Sequence, residues 1–384
     1  MAIIKAHNIT LRGGNAEYDI VLKPLSDEHL PLLYKWNRDT EVTYFTESSI
    51  GLVYDEKTVQ GIYGGVSKEA FCFLIEANGV SIGECWLQKM NKPDVIAMYP
   101  KNTDIRRIDM CIGEKEYWGK GIGTLFIGMM IDFAFNCEHV DVLHCFCEDY
   151  NKRSERMWQK HGFTLVRQDE ETYNPQWKSP IGKWQYHYAL FYQQYRANEI
   201  MKYLDILPEV KTCGLYGSLV NGNTDKYSDI DIKVDVSGSD NGAFMKTLPG
   251  LVAKKYPVIW YDFAPSLAPE QYVVSIATDE NNPFCVVDFK CTATPHIETV
   301  QKSNLENDTF YHLIKLWVAN YKHYIRSVDC TSDIQKMARR TIGAQCEKMS
   351  NEQILEQILR CLESNTTPKT AVYIANCRKA WEER

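Results

Sequence analysis

The sequence predicts an α/β (α+β) protein with two sheet-containing parts followed by a helical part. Segments in which apolar and polar residues alternate, separated by turn residues, recur over residues 18–191 and again over 213–291. This pattern is typical of strands. From Asn307 onward the apolar residues recur at helical spacing. A chain of 384 residues is long enough for two or three domains. The expected domains are residues 1–195, 196–304 and 305–384.

The first half opens as an antiparallel meander. Residues 18–25 alternate as a strand, and Ser26 is a candidate N-cap for the helix that follows. Residues 40–66 show no regular pattern, so we expect a long binding loop there. Asn78-Gly79 is a hairpin signal between two apolar strands, and residues 107–112 alternate again.

A glycine loop, residues 117–124 (Tyr-Trp-Gly-Lys-Gly-Ile-Gly-Thr), follows these strands and precedes an apolar helix. Its glycines allow a tight turn that aims several backbone N–H groups at one point, and beside a helix N-terminus such a turn binds anions. The loop is not a Walker A motif, because no Gly-Lys-Ser or Gly-Lys-Thr stands at the required spacing. It is not a dinucleotide-binding fingerprint, because it follows a meander rather than the first strand of a parallel sheet.

A second motif starts at Asn151 and ends in Trp-Gln-Lys-His-Gly-Phe over residues 158–163. Together the two motifs resemble motifs A and B of the GNAT acetyltransferases, and most closely those of the aminoglycoside 6′-N-acetyltransferases. The resemblance spans residues 10–193 and implies a GNAT fold with a mixed sheet. It also implies that acetyl-CoA is bound by Trp118, Gly119, Lys120, Gly121, Ile122, Gly123, Thr124 and Asn151.

Three positions depart from that family's pattern. Trp118 stands where Gln or Arg is common. Trp158 stands where a Tyr is often proposed to protonate the leaving thiolate, so the general acid is not identified. Phe146 stands where some relatives carry an acid, and Glu148 or Asp149 could replace that acid.

The resemblance implies acetyl transfer to an amine. With an ammonium pKa of roughly 10, as in lysine, the amine is mostly protonated at neutral pH, so a base must remove a proton before attack. Asp109 lies on the strand before the glycine loop, on the opposite face from Ile108 and Met110. We expect Asp109 to bind the ammonium and to act as the catalytic base. The acids within residues 41–56 would attract a polycationic substrate.

The second half is organised around residues 213–235. An apolar run ends in Gly217-Ser218, and an alternating strand then places Asp229 and Asp231 on one face. Neighbouring carboxylates repel each other unless a cation lies between them, and Mg²⁺ is typically held by one or two carboxylates plus substrate phosphates. If Gly217-Ser218 opens a helix, its backbone N–H groups can hold a phosphate. These parts are typical of phosphoryl or nucleotidyl transfer, although Asp-x-Asp alone is also common on exposed strands.

Asp288, in the apolar run 285–290, adds a third acid. Gly217-Ser218, Asp229-Ile230-Asp231 and Asp288 resemble the signature of the DNA polymerase β-like nucleotidyltransferases, and among them the antibiotic nucleotidyltransferases. The resemblance covers about residues 196–330 and implies a nucleotidyltransferase sheet followed by a helical subdomain. It implies that Asp229, Asp231 and Asp288 bind Mg²⁺, and that Gly217 and Ser218 contact the phosphates of ATP or another nucleoside triphosphate. Asp288 would either bind a second metal or take the proton from the acceptor hydroxyl.

Composition limits the partners and the compartment. The net charge of −7 argues against nucleic acid as the main partner and favours a small cationic substrate. The 13 cysteines include no Cys-x-x-Cys pair, so we expect reduced thiols in a cytoplasmic protein. The longest apolar run, residues 125–135, is too short to cross a membrane, and no secretory signal opens the chain.

Combined, these inferences describe a bifunctional antibiotic-modifying enzyme. It would N-acetylate an aminoglycoside-like amine from acetyl-CoA and O-nucleotidylate (adenylylate) an aminoglycoside or lincosamide hydroxyl from a Mg²⁺-bound nucleoside triphosphate. One alternative keeps both folds but assigns N-acetylation of a protein or metabolite and nucleotidylation of a protein. Another makes the first half a non-catalytic acyl-CoA sensor that regulates the nucleotidyltransferase, since Trp158 departs from the family pattern.

Overall fold

The computed structural model describes residues 2–170, 184–264, 271–295, 300 and 302–384. By its internal contacts the chain divides into two compact units, Met1–Tyr192 and Gln193–Arg384. Each unit has its own sheet and its own apolar core.

The first unit is built on a mixed sheet. Its strands are β1 (Leu11–Gly14), β2 (Asp19–Pro24), β3 (Ala70–Ala77), β4 (Val80–Lys89), β5 (Ile105–Ile112), β6 (Val142–Glu148), β7 (Thr164–Glu170) and β8 (Trp184–Phe191). Its helices are α1 (Leu30–Arg38), α2 (Thr40–Thr46), α3 (Glu56–Val66), α4 (Pro93–Ile96), α5 (Ile122–Asp132) and α6 (Lys152–Lys160). The eight strands follow the order β1-β2-β3-β4-β5-β6-β8-β7.

The parallel pair β5 and β6 meets only at its start. Ile105 pairs with Val142 and Arg106 with Leu143, and over the rest of these two described strands no further pair forms. By contrast, β4 pairs with β5 along seven residue positions, from Gly83 to Lys89. The centre of the sheet therefore opens toward the C-terminal ends of β5 and β6.

Residues 40–66 are not the irregular loop that the sequence pattern suggested, because α2 and α3 occupy most of them. The Asp39 carboxylate accepts hydrogen bonds from the backbone N–H groups of Glu41 and Val42, and Asp55 accepts one from Thr58. Both aspartates are therefore typical N-cap residues, whose side chains accept hydrogen bonds from the first turn of the helix. The apolar periodicity is weak because α2 has only seven residues, which is less than two full turns.

The second unit has a five-stranded sheet with helices before, within and after it. Its strands are β9 (Thr212–Tyr216), β10 (Ile230–Asp235), β11 (Trp260–Ala264), β12 (Gln271–Ala277) and β13 (Val286–Thr292), in the order β11-β12-β13-β10-β9. Its helices are α7 (Tyr192–Leu204), which begins at the unit boundary, α8 (Ser218–Asn221), α9 (Asn241–Val252), α10 (Thr309–Ile325), α11 (Thr331–Thr341), α12 (Asn351–Ser364) and α13 (Ala371–Glu382).

The C-terminal helices share a core with one edge of this sheet. Trp317 on α10 is fully buried, and its ring stacks on that of Tyr321 at a centroid distance of 5.0 Å. Trp260 on β11 contacts Tyr373 on α13 edge to face. Ser350 begins α12 with a capping box. The helices from α10 onward are thus held to the strands by buried aromatic side chains.

All 13 cysteines are free thiols, and most of them are buried. Among the residues that the structure describes, no helix has the length and apolarity required to cross a membrane.

Candidate functional site

A cavity of about 1120 Å³ opens beside β5 and extends to the glycine loop and the start of α6. Several of the residues predicted to bind acetyl-CoA or to catalyse line it: Asp109, Trp118, Gly119, Gly121, Gly123, Thr124 and Asn151. Two predicted contacts do not. Lys120 extends over the ring of Tyr117, and Ile122 is only 1% exposed and faces the core.

The glycine loop adopts backbone angles that favour glycine. Gly119 has φ +72° and Gly121 has φ +77°, in the left-handed region where an L side chain is strained. A Cβ atom at either position would meet no other atom within 4 Å, so the space beside the loop is open. Gly121 is also the N-cap of α5, where backbone N–H groups have no helical partner. The geometry fits an anion such as a pyrophosphate.

Trp118 holds the edge of the loop, because its Nε1–H donates a 2.7 Å hydrogen bond to the carbonyl oxygen of Ile112. The guanidinium of Arg153 lies 5.0 Å from the Trp118 ring centroid and 4.9 Å from that of Phe45. Arg153 is a cavity residue that the sequence analysis missed, although it stands two positions after Asn151. It places a positive charge at the loop end of the cavity.

The motif that starts at Asn151 forms the other wall of this end. The Asn151 carboxamide oxygen accepts from the Ser154 N–H at 3.2 Å, so the residue caps α6. Trp158 lines the cavity, is 2% exposed and has no hydrogen-bond partner for Nε1 within the described part of the chain. Its N–H can donate a hydrogen bond but, unlike a Tyr hydroxyl, does not supply a proton.

Asp109 lies on β5 and accepts a 2.7 Å hydrogen bond from Trp86 Nε1. It also forms an ion pair with Arg107, at 2.8 Å from Nε. Burial raises the pKa of Asp109, while Arg107 and Trp86 act in the opposite direction. Asp109 lines the cavity, and a cation that the sequence analysis did not consider lies beside it.

Two further acids that the sequence analysis did not assign line the cavity: Glu47, the C-cap residue after α2, and Glu84 on β4. In the β4–β5 register Glu84 lies opposite Cys111, and Trp86 lies opposite Asp109. Burial raises the pKa of Glu47, and it raises that of Glu84 to about 8. An acid inside the apolar run of β4 is the signal that could have identified Glu84.

The second unit contains a polar row, defined as five residues in one register across its sheet. The residues are Tyr216, Asp231, Asp288, Ser275 and Asp262. Residues paired in register on adjacent strands share a face of the sheet. The sheet thereby places Asp231 and Asp288, which are 57 positions apart in sequence, next to each other.

Two acids of this row, Asp231 and Asp288, have raised pKa values. Burial and the charges of Asp288 and Asp229 raise the pKa of Asp231 to about 6. Burial and Asp229 likewise raise the pKa of Asp288, whose carboxylate accepts a 2.5 Å hydrogen bond from Ser275 Oγ. Asp229, just before β10, forms an ion pair with Lys322 of α10.

Gly217 and Ser218 lie at the β9–α8 junction, where Ser218 opens a helix of four residues. Gly217 has φ +73°, and a Cβ atom there would lie 2.1 Å from Asp231 Oδ2. Only glycine therefore leaves room for the Asp231 carboxylate.

Asp229, Asp231 and Asp288 are the residues predicted to bind Mg²⁺. Among the described residues no group of three or more His, Cys, Asp or Glu side chains is arranged to hold a metal ion. Mg²⁺, however, is commonly bound through only one or two carboxylates together with substrate phosphates. Asp231 and Asp288 fit that smaller requirement, because they are neighbours whose mutual repulsion a cation would relieve.

Residues 19–164 match the family described as the acetyltransferase (GNAT) domain. Similar solved structures include a GNAT acetyltransferase from Bacillus anthracis, with 14% identity, a TM-score of 0.37, and coverage of 50% of this chain and 99% of that one. The aminoglycoside acetyltransferase AAC(6′)-Ib in complex with coenzyme A has 17% identity, a TM-score of 0.37, and coverage of 47% and 99%. Spermidine N-acetyltransferase from Vibrio cholerae, with CoA and spermine, has 14% identity, a TM-score of 0.39, and coverage of 47% and 99%.

The family match, rather than these superpositions, carries the assignment. It includes the strands β2 to β6, the glycine loop and α6, and with them most of the cavity. The first unit therefore contains a GNAT acetyltransferase domain.

Proposed function

We propose that the first unit transfers the acetyl group of acetyl-CoA to an amine. The observation that carries this proposal is the opening between β5 and β6, which leads from the glycine loop to an acid-lined cavity. Acetyl-CoA supplies an activated thioester. Its phosphates would be held by backbone N–H groups around Gly119 and Gly121 and by Arg153, which lie at the same end of the cavity.

The acceptor amine would lie at the acidic end. Asp109 can bind an ammonium and accept its proton, because its carboxylate faces the cavity and is oriented by Trp86 and Arg107. Trp158 cannot replace the Tyr proposed as general acid in relatives, but its unpaired N–H can donate a hydrogen bond toward the cavity.

The test is CoA release by the full chain with acetyl-CoA and a panel of amines that includes kanamycin, spermidine and a lysine peptide. Turnover of a small polyamine supports an antibiotic-type acceptor, and turnover of the peptide alone supports the protein-acetylating alternative. Tight acetyl-CoA binding without CoA release from any amine would contradict catalysis and favour the acyl-CoA sensor.

We further propose that the second unit transfers a nucleoside monophosphate to a hydroxyl. The polar row supports this proposal. Asp231 and Asp288 are adjacent in it, and only glycine at position 217 leaves room for the Asp231 carboxylate. Bound Mg²⁺ would neutralise the charge on the triphosphate. Asp229, Asp231 and Asp288 would hold the metal, Gly217 and Ser218 would contact phosphates, and Asp288 is also a candidate base for the acceptor hydroxyl.

The second activity is tested by measuring the pyrophosphate released from ATP in the presence of Mg²⁺ and an aminoglycoside or a lincosamide. Product masses would distinguish an adenylylated drug from an unmodified one. Taken together, we propose that the protein is a bifunctional antibiotic-modifying enzyme that acts on cationic small molecules. We place it in the cytoplasm, where its 13 free thiols would remain reduced.

A further inference from the structure

We propose that Glu84 is a specificity-determining residue that binds a second ammonium group of the acceptor, so that the acceptor carries at least two amino groups. This inference rests on the proposed acetyl transfer and specifies its substrate class. The geometry behind it is a carboxylate that lines the cavity while one of its oxygens has no partner.

Glu84 is almost completely buried, with 3% of its surface exposed. Its Oε1 accepts a hydrogen bond of 3.2 Å from the Tyr63 hydroxyl, but its Oε2 has no hydrogen-bond partner among the described residues. A buried polar atom without a partner is unfavourable, and more so when it is charged. A ligand ammonium that reached Oε2 from the cavity would remove this cost.

The surrounding charges leave an excess of acids. Burial raises the pKa of Glu84, and the nearby charges of Asp109 and Glu47 act in the same direction. Arg107 forms an ion pair with Asp109, whereas no ion pair to Glu47 or Glu84 occurs in the described part of the chain. Glu47 is instead hydrogen-bonded by the Tyr54 hydroxyl at 2.9 Å. The acidic end of the cavity therefore has room for more than one positive charge.

The spacing of these acids suits a polyamine. Trp86 is the direct partner of Asp109 in the register, so Glu84, two positions earlier on β4, is a diagonal neighbour of Asp109. Diagonal neighbours on one face of a sheet are roughly 7–8 Å apart. One ammonium at Asp109 and another at Glu84 would thus belong to a single molecule with amino groups several bonds apart.

The test compares Glu84→Gln with the wild type in the full chain, using spermidine and kanamycin as probes. Calorimetry measures binding of each probe, and CoA release measures kcat and KM. We expect Glu84→Gln to raise Kd and KM for both probes about 10- to 100-fold with little change in kcat, since hydrogen bonds to charged groups contribute about 1.5–3 kcal/mol. Acetyl-CoA affinity should stay at its wild-type level, and kcat/KM for butylamine, a monoamine, should fall far less than kcat/KM for the two probes.

Glu76→Gln is the matched control, because Glu76 on the adjacent strand β3 pairs with Lys23 at 2.6 Å and does not line the cavity. Glu84→Asp keeps the charge and should retain more polyamine affinity than Glu84→Gln, which separates the effect of charge from that of packing. An equal loss in Glu76→Gln, an unchanged Kd in Glu84→Gln, or no polyamine binding by the wild type would overturn the inference. Polyamine binding that depends on Glu84 but yields no CoA release would support the Glu84 site and contradict the proposed acetyl transfer.

Discussion

At the scale of single residues, the orientation and the pKa of the Asp109 carboxylate depend on the residues around it. Arg107 and Trp86 both contact it, which orients the side chain toward the cavity while burial raises its pKa. A carboxylate in this state is suited to exchange a proton with an amine, whereas an exposed strand acid is not.

Asp109→Asn removes the ammonium partner and the proposed base together. We expect kcat for acetyl transfer to fall about 10²- to 10⁴-fold, as is typical of general-base loss, while the Kd of acetyl-CoA is unchanged. CoA release and titration calorimetry measure the two quantities. Asp94→Asn, an acid outside the cavity that pairs with Arg167, is the control and should behave like the wild type. Equal turnover in the Asp109 variant and the wild type would refute the assignment.

Glu84 also makes stability depend on pH. Its pKa rises from 4.5 in a model peptide to about 8 in the fold, so the folded state binds an additional proton between these values. The free energy of unfolding of the wild type, relative to Glu84→Gln, should therefore be highest below pH 4.5 and decrease by a few kcal/mol as pH rises through about 8. The other titratable groups that interact with Glu84 are Glu47, Asp109, Tyr63, Cys72, Cys85 and Cys111.

Urea unfolding of both proteins across this pH range gives the difference directly, because titrations that the two proteins share cancel. A difference that does not change with pH would show that Glu84 titrates normally.

At the scale of structural elements, the β9–α8 junction depends on one glycine. Gly217→Ala would place a Cβ atom 2.1 Å from Asp231 Oδ2, so that the carboxylate must move. Gly222→Ala is a matched control, since Gly222 has nearly the same φ of +74° but meets no atom within 4 Å. We expect pyrophosphate release to be lost in Gly217→Ala and largely kept in Gly222→Ala. Equal activity in the two variants would show that the position of Asp231 is not critical.

The glycine loop allows a similar comparison in the first unit. Alanine at Gly121 would strain a left-handed residue at the N-cap of α5, at a cost of about 1–3 kcal/mol, and acetyl-CoA affinity should fall roughly tenfold or more. Gly79 has φ +79° in the β3–β4 hairpin, away from the cavity. Gly79→Ala should therefore lower the melting temperature about as much as Gly121→Ala does, but it should not weaken acetyl-CoA binding. Calorimetry on both variants is the measurement, and equally weakened binding in both would exclude a local role for the loop.

At the scale of the whole molecule, the two units have separate sheets and cores, and each contains its own proposed site. We expect residues 1–192 and 193–384 each to fold cooperatively, the first retaining acetyl-CoA binding and the second retaining nucleotide binding. Thermal melts and ligand titrations of the two fragments measure this. Two fragments that both lack a cooperative transition would show that the units depend on each other for folding.

The sequence by itself determined the local features of this protein. Asn78-Gly79 is a hairpin turn in which both residues have positive φ, Ser350 begins a capping box, and Gly119 and Gly121 form a left-handed loop before α5. Each of these depends on the backbone freedom or hydrogen bonding of a few consecutive residues, so the residue types alone predict them.

Only the tertiary structure decided which distant side chains meet. The register of β4 and β5 brings Glu84 beside Asp109, and the order of the second sheet brings Asp288 beside Asp231. The helices α2 and α3 were missed within residues 40–66, where a loop was expected, because apolar spacing in short helices is weak. Sequence periodicity reports which face of an element a residue occupies, but not which strand becomes its neighbour. That neighbour is chosen by the packing of the whole sheet, and therefore both acidic sites exist only in the folded chain.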